Sequence, residues 1–307
     1  MKLADIKRVV SPNKWWLKLG LAFAVIVIVV SLGASGFMGY SMTRVERVPV
    51  GLSPASLGLD YQDVSFPSRL DGLSLHGWYL AAPGSEQVII MLHGEEQHRA
   101  DPDIGMLNIA SSLVEHGYDV LMFDLRGHGE SEGNMISGGY FEKRDLLGAI
   151  DYVKGQGLES IGVIGFSLGA VTALMAAKET GDIDAIVADS SFADLNDIIE
   201  PEFSKRTSLP KFFAPILLFM VKIIYGVDFT AIRPVESVSE LSIPILFIQG
   251  EQDEIVPLEH AYRLKEASQN PESELWIVPQ ASHVGSYILH QEDYMDKITA
   301  FFDRALR

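Results

Sequence analysis

Beyond residue 60, short apolar runs alternate with stretches in which apolar positions recur every three to four residues. The short runs are rich in β-branched residues. They predict strands at Val64–Phe66, Ser74–Leu80, Gln87–Leu92, Val120–Asp124, Gly162–Phe166, Ala185–Ala188, Ile245–Gln249 and Leu275–Val278. The periodic stretches predict helices near 105–116, 141–155, 168–179, 257–267 and 287–305. Strand and helix in alternation imply a largely parallel sheet covered on both faces, because a parallel pair needs a crossover long enough to hold a helix. The first two strands have no helix between them and are expected to pair antiparallel at an edge.

Two segments break this rhythm. From Leu19 to Thr43 no charge occurs in 25 residues, and the run contains LAFAVIVIVV. As a helix it would reach about 37 Å, against a hydrocarbon core of ~30 Å. Trp15 and Trp16 stand where an interfacial aromatic belt belongs. The second segment, Phe212–Tyr225, lies between the strands ending near Ala188 and starting near Ile245, and only Lys222 interrupts it. It is too short to span a bilayer and too apolar all round for a surface helix, so it must be buried, cover a ligand or touch lipid.

Charge sharpens the reading of the first segment. Residues 1–47 hold seven Lys/Arg against Asp5 and Glu46, whereas the remainder holds 17 basic and 39 acidic residues. A basic flank before an apolar span keeps the N-terminus cytoplasmic and sends the rest across. The segmentation expected is a cytoplasmic segment 1–18, a transmembrane anchor 19–43, a linker 44–60 and a main domain 61–307 with an insertion at about 192–240. The chain would then be a single-pass cell-membrane protein with its main domain outside. A cleaved signal peptide is the rival: Leu19–Leu32 is short enough, and cleavage would release the domain as a secreted protein. Gly33, Ala34, Ser35 and Gly36 follow, but no Ala-x-Ala.

Composition removes several chemistries. There is no cysteine among the 307 residues, which excludes a thiolate nucleophile, an iron–sulfur cluster and every Cys-based zinc site. A net charge of -17 argues against nucleic acid as a partner, since phosphate neutralisation needs clustered Lys and Arg. No metal or organic cofactor is implied, and the sequence does not speak to oligomeric state.

The strongest chemical signal is Gly165-Phe166-Ser167-Leu168-Gly169, between the strand IGVIGF and the helix LGAVTALMAAK. A nucleophile on a sharp strand-to-helix turn needs neighbours without Cβ atoms, so that strand and helix can approach. A serine hydroxyl is a poor nucleophile without a base, and the base needs an orienting carboxylate. The strand PILFIQG runs into Glu251-Gln252-Asp253-Glu254, and ELWIVP runs into Gln280-Ala281-Ser282-His283. Both loops follow strands, at the edge where open α/β sheets bind ligands. His283 alone of eight histidines combines a late position with such a loop. Asp253 is favoured as the carboxylate over its neighbours Glu251 and Glu254 and over Asp189, which also follows a strand. After QVIIML comes His93-Gly94-Glu95, whose backbone N–H at Glu95 could face that of Leu168 as an oxyanion hole.

On these motifs the chain resembles the α/β-hydrolase superfamily over about residues 60–305, including its chain order of serine, acid and histidine. FDLRGHGESEG resembles the D-x-R-G-x-G-x-S turn of that family, which is structural there, so Asp124, Arg126 and His128 receive no catalytic role. Asp189-Ser190-Ser191 and Arg233–Ser237 resemble segments that flank the cap of short-capped members. The oxyanion strand reads HGEE where one lipase group has HGGG, and serine replaces the elbow aspartate of dehalogenase relatives. The resemblance implies an α/β-hydrolase fold: a mostly parallel eight-stranded sheet with helices on both faces and a short helical cap. It implies a serine hydrolase acting on carboxylic esters, apolar or lipid-like, with Phe213 and Leu217 in the acyl pocket. A peptidase or amidase of the same fold is an alternative, as is a non-catalytic binding protein.

Overall fold

A computed structural model describes residues 14–44, 46–199 and 214–306. Eight strands form one sheet in the order β1-β2-β4-β3-β5-β6-β7-β8. In chain order they are β1 (Gln62–Pro67), β2 (Ser74–Leu80), β3 (Gln87–Leu92), β4 (Asp119–Phe123), β5 (Ser160–Phe166), β6 (Ala185–Asp189), β7 (Ile245–Gly250) and β8 (Glu274–Val278). β1 and β2 pair antiparallel, β2 joins β4 antiparallel, and the remaining pairs are parallel. The expected antiparallel edge is therefore present, and the sheet is otherwise parallel.

The strand sequences show why both faces are covered. Along β3, Val88, Ile90 and Leu92 enter one apolar cluster while Ile89 and Met91 enter the other. A strand with apolar residues at both parities has no face to give to water. The first cluster is closed by α3 (Lys143–Gly155), α4 (Leu168–Ala177) and α7 (Leu258–Ala267) through Leu146, Ile150, Leu174 and Leu264. The second is closed by α2 (Met106–His116) and α9 (Gln291–Ala305) through Ile109, Leu113, Ile298 and Phe302. The final helical stretch is broken at His290, so a single turn α8 (Ser286–Leu289) precedes α9. His290 leaves the helical region (φ -137°, ψ 64°), and its carbonyl then accepts from Tyr294 N–H at 2.9 Å to start the next helix.

The N-terminal helix α1 runs from Trp15 to Thr43, four residues longer than the uncharged run. Its side chains are exposed as far as Val30, whereas Ser35, Gly39 and Thr43 are buried. The residues after it are not a free linker. Arg47 donates to the carbonyls of Gly129 (2.8 Å) and Gly133 (2.6 Å), and Ile136 N–H donates to Thr43 O at 2.8 Å. Between β6 and β7 lie α5 (Ala214–Tyr225) and the short α6 (Pro234–Val238). Phe212 and Phe213 fall outside the described residues.

Candidate active site

β5 ends at Phe166 and α4 begins at Leu168, so Ser167 must turn the chain alone. It does so at φ 50°, ψ -110°, a left-handed backbone that a non-glycine residue adopts only when its surroundings impose it. The flanking glycines allow that approach. A Cβ at Gly165 would lie 2.4 Å from Gly169 O, and one at Gly169 would lie 2.4 Å from Leu92 O and 2.7 Å from His93 O. These are backbone atoms, which cannot step aside. The turn is also tied to the next strand by Ser167 N–H donating to Asp189 O at 2.9 Å.

Five of the six non-glycine residues with positive φ, among those described, follow strands at this one edge. They are Glu96 after β3, Ser167 after β5, Ser190 after β6, and Gln280 and Val284 after β8. Backbone strain of about 1–3 kcal/mol per residue is concentrated where side chains must be aimed.

The three residues expected to act together do meet. Ser167 Oγ and His283 Nε2 are 2.9 Å apart, and His283 Nδ1 is 2.8 Å from Asp253 Oδ2. The Asp253 carboxylate is fully buried, while the His283 ring keeps 16% of its surface exposed. Burial alone would raise the Asp253 pKa. Hydrogen bonds from His283 and from the N–H groups of Val256 and Ile255 outweigh it, so the group is held below its ordinary value. It is therefore a carboxylate throughout the neutral range.

Four neighbours bear on the site. Gln249 Nε2 donates to Asp253 Oδ2 at 2.7 Å and to Val256 O at 3.1 Å, bracing the acidic loop from within β7. Asp189, which the sequence left as a rival acid, does not contact the imidazole. Its carboxyl accepts from Ser190 Oγ (2.9 Å) and Tyr294 Oη (3.1 Å), and burial raises its pKa to about 6. Ser190 Oγ in turn accepts Val284 N–H at 3.0 Å, next to His283. Gln249 could have been noticed as a polar residue in an apolar strand. Ser190 and Tyr294 carry no such sign, because their relation to His283 exists only after folding.

Gly94 lies against the elbow: a Cβ there would sit 3.7 Å from Ser167 Cβ and 3.7 Å from Phe166 O. Glu95 continues that turn, and Leu168 opens α4, where the first amides of any helix lack an intrahelical acceptor. His93 is buried and accepts Leu125 N–H at Nε2 (3.0 Å), so its Nδ1 carries the proton donated to Gly94 O at 2.6 Å. Burial, with His128 nearby, lowers its pKa well below the ordinary value. Neutral His93 is a strut between two loops. Asp124 and Arg126 are likewise enclosed: Asp124 by Arg99 and the Glu130 N–H, Arg126 by Asp145, Ser68 and Asp71.

Leu217 is buried with Ala214 against Ala34 and Met38 of α1. Phe213, its partner in the expected acyl pocket, lies outside the described residues.

Known proteins resemble this chain in sequence and in fold. Residues 63–205 match the X-Pro dipeptidyl-peptidase (S15) family and residues 141–285 match the serine hydrolase (FSH1) family. The uncharacterized protein YqkD of Bacillus subtilis is 28% identical over 76% of this chain and 76% of its own length. The α/β hydrolase domain-containing protein WAV2 of Arabidopsis thaliana is 26% identical over 82% of each chain. The structure of the Pyrococcus furiosus esterase Pf2001 superposes with a TM-score of 0.72 at 28% identity, covering 87% of this chain and 99% of that one. With its sheet order, its elbow and these similarities, the chain is a serine hydrolase of the α/β-hydrolase fold.

Proposed function

We propose that this protein is a membrane-anchored esterase in which Ser167, His283 and Asp253 form the catalytic triad. The observation that carries the proposal is the unbroken hydrogen-bond chain Ser167 Oγ–His283 Nε2 and His283 Nδ1–Asp253 Oδ2, at 2.9 and 2.8 Å. Neutral His283 accepts the hydroxyl proton as Ser167 Oγ attacks the ester carbonyl. Asp253 holds the tautomer and stabilises the imidazolium that forms. Glu95 and Leu168 N–H groups receive the oxyanion; each such donor is worth about 2.7–4 kcal/mol of barrier in related sites. The imidazolium returns its proton to the leaving alkoxide, an alcohol departs, and water cleaves the acyl-enzyme by the same two steps. The esterase activity of the Pyrococcus furiosus relative supports a carboxylic ester as substrate. The dipeptidyl-peptidase match favours an amide as second reading, but it stops at residue 205, before the acid and the base. For location, the basic N-terminal flank supports a cytoplasmic N-terminus, the exposed α1 as anchor and the hydrolase domain outside.

The test is fluorophosphonate labelling of the wild type and of Ser167→Ala, followed by hydrolysis of matched esters and peptide amides. Labelling and ester turnover are expected to vanish in the variant. Labelling at the wild-type level in Ser167→Ala would remove the nucleophile assignment, and faster cleavage of X-Pro amides than of esters would replace the esterase reading.

A further inference from the structure

Helix α5 is apolar on every side but for Lys222, and the fold accounts for only part of that. One side, with Leu218, Val221 and Tyr225, packs in a cluster with Val171, Phe229 and Ile232 of the hydrolase domain. A second side meets α1: Ala214 and Leu217 lie against Ala34 and Met38, and Tyr225 Oη donates to Gly36 O at 2.7 Å. The Tyr225 ring lies over Gly39 so closely that a Cβ there would come within 2.3 Å of it. The third side has no such partner among the described residues. Ile216, Phe219, Ile223 and Ile224 are 45–62% exposed, and Lys222 at its edge is paired with Asp228 at 2.5 Å.

That open side is continuous with exposed α1, whose Phe37 and Tyr40 also face outward. The aromatic residues of α1 mark out a span. Trp15 and Trp16 stand at one end and Tyr40, with the Arg44 guanidinium 5.2 Å over its ring, at the other. The 24 helical steps from Trp16 to Tyr40 cover about 36 Å, which fits a hydrocarbon core of ~30 Å with interfacial rings at both sides. Residues 34–39, which α5 touches, would then lie within about 9 Å of the Tyr40 level. A helix lying in the interface buries its apolar face by about 5–10 Å.

We propose that the outward face of α5 rests in the boundary layer of the bilayer beside the end of α1, as a second membrane contact of the hydrolase domain. The proposal rests on the membrane-anchor reading above and commits to lipid as the occupant, because the face continues an apolar helix of membrane-spanning length. The cluster beneath α5 reaches Val171, one turn beyond Ser167, so the nucleophile's helix lies directly behind the membrane contact. Such a placement suits an amphiphilic ester taken from the bilayer.

The chain has no cysteine, so a single introduced one can be labelled without background. Full-length Val27→Cys, Phe219→Cys, Ile223→Cys and Leu70→Cys variants would each carry an NBD fluorophore in phosphatidylcholine vesicles. Nitroxide-bearing lipid and aqueous iodide serve as the two quenchers. All four positions are exposed on the protein, Leu70 at 85%, so none of the labels displaces a buried group. Labels at Val27, Phe219 and Ile223 are expected to lose emission to the lipid nitroxide and resist iodide, while Leu70 does the opposite. If Phe219 and Ile223 follow Leu70 while Val27 follows the lipid, the α5 contact is refuted and the anchor stands. If Val27 also follows Leu70, anchor and contact fall together. Labels on α5 shielded from both quenchers would mean a protein covers this face, a second copy included, and would equally overturn the proposal.

Discussion

Gln249, next to last in the buried strand β7, shares its Nε2 between the Asp253 carboxylate and the Val256 carbonyl. A hydrogen bond to a charged acceptor is worth about 1.5–3 kcal/mol. Gln249→Leu is therefore expected to reduce kcat/KM by about tenfold or more with little change in KM; steady-state kinetics showing less than a twofold loss would deny it a positioning role. Asp189 makes a different prediction. Burial raises its pKa to about 6, with Ser190, Tyr294, His283 and Asp253 as its polar and charged neighbours. A carboxyl with a raised folded-state pKa binds its proton more tightly in the native state. Its contribution to stability is complete below the unfolded value near 4 and is lost as pH rises to about 6. Thermal melts from pH 4 to 7 should show that decline in the wild type and a flatter profile in Asp189→Asn; parallel profiles would contradict it. Gly169→Ala belongs here too, because its Cβ would meet the carbonyls of Leu92 and His93. It is expected to destabilise by at least about 1–3 kcal/mol, read as a lowered melting temperature together with lost activity.

Helix α5 is held by two sets of contacts that can be separated by substitution. Leu217→Ala removes packing against Ala34 and Met38 of α1. Because this packing is against α1, the ratio of kcat/KM for long and short acyl esters is expected to stay constant, while stability falls by about 2 kcal/mol. A shifted ratio would restore Leu217 to the acyl pocket. The elements that aim Ser167, His283 and Asp253 follow a different logic. β5, β6, β7 and β8 run parallel, so the loops after their ends lie at one edge of the sheet, and three of those loops carry Ser167, Asp253 and His283. Helices on opposite faces, α4 on one and α9 on the other, flank the sheet while the imidazole stays partly exposed.

The molecule as a whole divides its charge across α1: a basic N-terminal segment and a strongly acidic remainder. That asymmetry predicts that protease added to intact cells cuts the hydrolase domain; protection until lysis would mean the opposite topology. Helix α1 and the residues just after it are also part of the folded body through Thr43, Arg47 and Tyr225. A chain shortened to begin at Leu52 would lose these ties and bare the α1-facing side of α5 as well as its open side. Such a chain is expected to self-associate or require detergent, as size-exclusion chromatography would show; a monodisperse soluble monomer would indicate that α5 finds another cover.

The local code was sufficient for several features of this protein. Alternating β-branched runs and 3.6-residue periods placed the strands and main helices. The glycines around Ser167 and the uncharged stretch after Lys18 are likewise legible without a fold, because each records a local steric or solvation demand. Contacts between distant segments were not legible. Nothing in Ser190 or Tyr294 announces that they brace the loop of His283 through Asp189, nor in Gln249 that its amide is aimed at Asp253. Nor was the packing of Leu217 against Ala34 and Met38 of α1 legible, because an apolar helix records only that its faces avoid water. Which partner covers each face is decided by where the crossover connections bring the other apolar surfaces, and a pattern along one chain does not contain that geometry.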